Sequence, residues 1–340
     1  ELSLPYMWTS VQHFFCLYAL GSSGKVTSKT SLNFYKEPER PWAIKEWPYY
    51  LGTTQPPPDY TWDEYFDYLL ALDTRHFVFG GYEVIYTSEI VEKFIWPPRK
   101  NSTWNEGKFR ALKSLGGGSS RNFNKTLFGE SLTRVLSKFP IHGILHVLPA
   151  TVPNWANLDE ATKIIREMME ILKCLGLDTA LRFRPGDWPR MLQQGLGKIA
   201  DMYFAPLLPS CDPSKPAFNT NAYAEEIIKS STGAGVDPKA LVITMPLILE
   251  SIGSNDCFVP AGVGYSYAVV EEGVDPAGNG TFSAWNMTNY FLSQPRAIEK
   301  IGLAESHGLN GLMLRGDDGG ETDLYPWDDR SLFYALATNI

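Results

Sequence analysis

Short apolar runs alternate along this chain with longer segments whose apolar residues recur every three or four positions. Strand-length runs lie at 11–20, 75–86, 109–115, 141–148, 179–183, 199–208, 240–249 and 309–314. Between them, helical spacing predicts helices over 59–72, 124–139, 158–175, 188–196, 221–231, 296–307 and 332–337. The clearest is 158–175, where Ile164, Ile165, Met168, Met169, Ile171 and Leu172 form one apolar stripe and Gly176 follows as a C-cap. Helix 59–72 opens with Thr61 as N-cap and Glu64 three residues on, a capping box. Regular strand–helix alternation implies βαβ units, parallel strands and right-handed crossovers. Two stretches break the rhythm. Residues 21–60 show no periodicity and hold Pro38, Pro41, Pro48 and Pro56–Pro58 among several aromatics, which predicts a long loop. Residues 250–295 are rich in Gly, Asn and Tyr.

The third and fourth runs frame the most informative unit. The third ends in Ser114, Leu115, Gly116 and Gly117, and the fourth reads IHGILHVL before Pro149. The seventh carries Lys239 and Pro246. The eighth region reads Gly308, Gly311, Met313 and Arg315, then Asp317 and Asp318, then Ser331, Leu332 and Phe333. In order and spacing these elements resemble the family-18 glycoside hydrolases, the chitinases and their relatives. The resemblance implies a single (β/α)₈ TIM barrel over 1–340, with long loops at 21–60 and a reduced insertion between strands seven and eight at 250–295.

The family's fourth strand bears the signature DGxDxDxE. Aligned on Gly143, His142 takes the place of the first Asp, Leu145 and Val147 replace the next two, and Pro149 stands at the acid. In that family the Glu protonates the glycosidic oxygen, and the Asp before it orients the substrate's own N-acetyl group. Leu145, Val147 and Pro149 can neither donate nor accept a proton. The resemblance therefore implies a chitinase-like protein without hydrolase activity and with no catalytic residue at the usual place. The sixth run resembles the family's Asp–Met–Tyr–Asp strand through Asp201, but the substrate-orienting Tyr is missing. Arg315 stands where the family stacks a sugar on Trp.

Composition narrows the partners. The chain has 340 residues, 44% hydrophobic and 13% aromatic, with net charge −8. An acidic surface gives no footprint for nucleic acid or anionic lipid. No apolar run reaches the roughly 18 residues needed to span a bilayer. Four Asn-x-Ser/Thr sequons, at Asn101, Asn124, Asn279 and Asn286, favour a glycosylated protein secreted by or displayed on a eukaryotic cell. Cys16, Cys174, Cys211 and Cys257 allow three full pairings. Cys211 and Cys257 both fall in Pro/Gly-rich loops expected on one barrel face, which favours that disulfide. Cys16 in an apolar run and Cys174 in a helix read as buried thiols.

His142 and His146 are four apart on a strand, about 13 Å, too far to share one ion, so no metal or cofactor is expected. Glu83, Asp201, Asp317, Asp318 and Asp323 are the acids available for a relocated hydrolytic pair. Trp155 and Trp188 follow strands four and five and, with Arg315 and Asp317, are the candidate ligand-binding residues. Arg315–Gly316–Asp317 is also an RGD tripeptide, which acts in adhesion only on a protruding loop. Three functions follow in order: binding a protein partner, binding a glycan as a lectin, and hydrolysis by relocated carboxylates.

Overall fold

The computed structural model describes residues 32–36, 62–84, 88–92, 110–117, 123–138, 141–147, 158–212, 214–253, 257–260, 263–315 and 322–340. All fall within one compact unit, residues 31–340. Eight strands form a ring of parallel pairs: β1 (Asn33–Lys36), β2 (His76–Val84), β4 (Arg110–Gly117), β5 (Gly143–Val147), β6 (Asp178–Arg182), β7 (Met202–Pro206), β8 (Leu241–Pro246) and β13 (Gly311–Arg315). The last strand pairs with the first, and β1 pairs in turn with β2, so the ring closes. A short strand, β3 (Ile90–Glu92), runs antiparallel on the edge of β2. This is a TIM-barrel fold.

Helices follow the strands: α1 (Trp62–Ala71), α2 (Lys125–Lys138), α3 (Leu158–Cys174), α4 (Trp188–Gln194), α5 (Asn221–Gly233), α6 (Tyr265–Val270), α7 (Gln294–Ser306) and α8 (Leu332–Ala337). The expected stripe of α3 is buried at Ile164, Ile165, Met168, Met169 and Leu172. Gly176 ends that helix with φ +70°, and the Leu177 N–H donates back to the Leu172 carbonyl at 3.0 Å. β7 and β8 are buried at every position, as parallel strands covered on both faces must be.

Between β8 and β13 the chain forms a four-stranded antiparallel sheet from β9 (Glu250–Ile252), β10 (Cys257–Phe258), β11 (Thr281–Ala284) and β12 (Met287–Tyr290). It occupies the place expected for the insertion. Cys211 and Cys257 are disulfide-bonded, which ties the loop after β7 to β10. Asn219 adds a second tie, its Nδ2 donating to the carbonyls of Gly280 and Phe291 at 2.9 and 2.8 Å. Buried Lys300 on α7 donates to the Asn219 carbonyl and to Asn221 Oδ1, which locks α7 to the start of α5.

Two expectations are corrected. The first barrel position is filled by Asn33–Lys36, within the stretch read as loop; residues 11–20 lie outside the described residues. Four residues are too few to display an alternating pattern against a background of Pro and aromatics, and partners on both sides supply the rest. Cys174 is exposed and disulfide-bonded rather than a buried thiol. It closes α3 at its solvent end, where a side chain has room to bridge. Cys16 lies outside the described residues.

Barrel closure rests on a close approach of backbones. Asn33 and Gly311 are register partners, and a Cβ at Gly311 would come within 2.0 Å of the Asn33 carbonyl oxygen. Gly311→Ala is expected to push β1 off β13 and cost about 1–3 kcal/mol or more. Thermal unfolding of the variant beside Gly302→Ala, which has open space around it, checks this.

Candidate functional site

Alternation along the strands sorts their side chains into two sets. Tyr35, Val78, Leu145, Ala180, Met202, Phe204, Val242 and Met313 form one apolar cluster inside the barrel. Their neighbours Phe34, Phe77, Phe79, Ile144, Leu181, Tyr203, Ala205, Ile243, Leu312 and Leu314 belong to the core between barrel and helices. Adjacent side chains on a strand point to opposite faces, so every second residue is inward.

Continuing that count to the carboxyl ends of the strands builds the barrel mouth, where barrels of this kind place their sites. Arg182 is two residues beyond Ala180 and ends β6; Arg315 is two beyond Met313 and ends β13. Pro206 follows Phe204, and Thr244 and Pro246 follow Val242. Arg182 pairs in register with Val147 on one side and Phe204 on the other. Arg315 pairs with Pro246, and Thr244 with Met313. Both arginines are partly buried, and each is engaged in further interactions. Thr244 is fully buried, and its Oγ1 has no hydrogen-bond partner.

The expected residues distribute as follows. Leu145 faces the barrel interior, as its place in the eroded signature requires. Val147 ends β5; Pro149, Trp155, Asp317, Asp318 and Asn101 lie outside the described residues, as does the rest of the RGD tripeptide beyond Arg315. His142 is exposed just before β5, whereas His146 is buried on the helix-facing side with an unpartnered Nδ1. One ring is exposed and the other buried.

Trp188 is corrected. Only 2% of it is exposed, at the start of α4, with its ring 5.8 Å from that of Phe183. Its faces are taken by the core, so it offers no platform to a sugar. Two relocated acids are also spent. Asp201 precedes β7 at the barrel's amino end, away from the mouth, where its Oδ2 accepts from the Thr179 N–H (2.9 Å) and hydroxyl (2.7 Å). Asp323 accepts the N–H groups of Leu332 (2.9 Å) and Phe333 (2.7 Å) and so caps α8. Glu83 is on β2, opposite Gly116.

Asn124, Asn279 and Asn286 are all exposed. Asn124 caps α2 through its Oδ1, Asn279 accepts from the Thr281 hydroxyl of its own sequon at 2.8 Å, and Asn286 is at the β11–β12 turn with φ +57°. Cys211, Glu250 and Cys257 bring candidate ligand atoms within 4.8 Å, but both sulfurs are committed to their disulfide. Burial pushes the Glu250 carboxyl upward.

Arg182 and Thr244 escaped the sequence reading. The signal was present in the count from Ala180 and Val242, but it becomes usable only once the inward set is known.

Comparison with known proteins agrees with this geometry. No family model and no curated protein matches the sequence. Solved structures do. The Group IV chitinase of Ostrinia furnacalis superposes with TM-score 0.61 at 12% identity, over 90% of this chain and 99% of that one. The chain has the fold of the family-18 chitinases. A chitinase from Chromobacterium violaceum gives TM-score 0.57 at 14% identity, covering 81% and 94% of the two chains. The family-18 chitinase of Cycas revoluta, solved with (GlcNAc)3, gives 0.56 at 15% identity over 91% and 98%. At such identities the chitinase fold is shared while the residues at its mouth are this chain's own.

Two outcomes follow for the buried residues Trp188 and His146. Trp188→Ala is expected to cost about 3–5 kcal/mol of stability through the cavity it leaves, read by denaturant unfolding. Burial pushes the His146 imidazole down to about 4. The unfolded chain takes up this proton near pH 6.5, so between pH 6.5 and 4 it binds more protons than the fold. Stability therefore falls as pH drops through that window, by about 3 kcal/mol from this group, and is unaffected above it. His146→Leu is expected to flatten the window, checked by unfolding at pH 7, 5.5 and 4.

Proposed function

We propose that this protein acts by binding at the mouth of a chitinase-like barrel and does not hydrolyse glycosidic bonds. One observation carries the reading: Leu145, aligned with an acid of the chitinase signature, is packed inside the barrel among Ala180, Phe204 and Met313. A carboxylate there would have polar company and a path to substrate; Leu145 has neither. Val147 and Pro149 remove the remaining acids of the motif. A general acid lost in this way is not replaced without new geometry, and Asp201 and Asp323 are committed elsewhere.

The first class of ligand is a protein partner, in adhesion, recognition or immune modulation. The second is a glycan held without turnover, favoured by likeness to a chitinase solved with (GlcNAc)3 bound. Secretion or surface display with N-glycosylation accords with the exposure of Asn124, Asn279 and Asn286 and with the Cys211–Cys257 disulfide. Among the described residues no helix is long and apolar enough to cross a membrane.

Purified protein incubated with chitooligosaccharides is expected to release no product over many hours, while retaining a ligand on a glycan array or in pull-down from extracellular fluid. Measurable turnover would sink the proposal and direct attention to Glu83 and Asp317.

A further inference from the structure

We propose that the barrel mouth binds a saccharide through an anionic substituent, a carboxylate or sulfate ester, held by Arg182 and Arg315 above Thr244. This rests on the glycan-binding form of the function proposed above.

Three observations converge. First, two guanidinium groups occupy inward-facing positions at the carboxyl ends of β6 and β13. Both follow residues of the interior cluster, Ala180 and Met313, so the same alternation that fills the barrel aims them into the mouth. Arginine presents a planar fork of donors that matches a carboxylate or sulfate, and it keeps its charge at any physiological pH. Second, these cations sit in a chain of net charge −8. The described inward residues beside them on β7 and β8, Phe204, Pro206, Val242, Thr244 and Pro246, carry no carboxylate. Third, Thr244 is fully buried with an unpartnered Oγ1, on the strand next to β13 and one inward step below the level of Arg315. A buried hydroxyl without a partner is costly and asks for one. It can donate to an anionic oxygen that the arginines draw in.

The remaining inward neighbours sharpen the chemistry. Pro206, Pro246 and Phe204 are apolar and offer no donor of their own. Selectivity then resides in the charge carried by the ligand, because among the described inward residues of these strands no carboxylate is offered to a neutral N-acetylglucosamine chain.

Calorimetric titration of the whole protein with three probes tests this: chitotriose, an oligohexuronate carrying carboxylates, and a sulfated oligosaccharide of similar length. Binding of an acidic probe is expected, weakening as salt rises, with chitotriose bound at least about tenfold more weakly. Preference between the two acidic probes identifies the anion. Arg182→Gln and Arg315→Gln should each lower acidic-probe affinity about tenfold or more. Arg182→Lys and Arg315→Lys should recover part of it, because charge is kept and the fork is lost. Thr244→Val, nearly isosteric, should weaken binding severalfold without a lower melting temperature. Thermal unfolding of each variant separates loss of contact from loss of fold. Equal affinity for chitotriose, unchanged affinity in both glutamine variants, or no saccharide bound would overturn the assignment. Turnover of chitotriose would instead end the non-hydrolytic reading, and the arginine titrations would still decide the mouth.

Discussion

Everything in this molecule depends on closing a ring of strands whose side chains alternate strictly between two cores. β1 has only four residues, yet it pairs with β13 and β2 and removes both free edges of the parallel sheet. Its Asn33 and Tyr35 reach Asn310, whose carbonyl and side chain accept from them at 3.2 and 2.9 Å. Gly311 lets the two backbones meet. Once the ring closes, parity determines what each residue touches: Tyr35 faces the interior, while Phe34 packs 5.9 Å from Phe333 of the last helix.

That parity is also the link from fold to chemistry. A barrel interior filled by Val78, Leu145, Phe204, Val242 and Met313 is a plug, so any site must sit above it. The residue at each strand's carboxyl end is then both the top of the core and the floor of the mouth. In a hydrolase of this fold, acids at such positions serve the reaction. Here Leu145 of β5 belongs to the plug, and arginines end β6 and β13. The barrel packing beneath these strand ends is the same whichever side chains end them.

Polar groups that do not serve the mouth are used for assembly. Asp201 stitches β6 to β7 at the amino end, Asp323 and Ser331 begin the last helix, and Asn219 with Lys300 joins the inserted sheet to two helices. Burial lowers the Lys300 ammonium to about 8, a shift that the nearby Glu299 carboxylate only partly opposes. The Cys211–Cys257 bond anchors the same insertion from its other side. The inserted sheet is thus held to the barrel by covalent and buried polar ties at separate points.

By itself the sequence determined the alternation of strands and helices, because those signals are local and redundant, and resemblance to the family-18 chitinases implied the barrel. Strand-length apolar runs, the stripe of α3, the Gly176 cap and the helix over residues 332–337 each follow from neighbours in the chain. An insertion after β8 and the Cys211–Cys257 bridge were legible too, whereas the antiparallel sheet that the insertion forms was not. The inward orientation of Leu145 and the outward one of His146 followed from period two. Only the tertiary structure decided which four residues close the ring, since Asn33–Lys36 carry no pattern until β13 and β2 flank them. It alone buried Trp188 against Phe183, sent Asp201 away from the mouth, committed Asp323 to the start of α8, and brought Arg182 and Arg315 from 133 residues apart to one rim. A side chain's type is written in the chain, but its company is set by packing between segments distant in sequence, and a binding site is made of company.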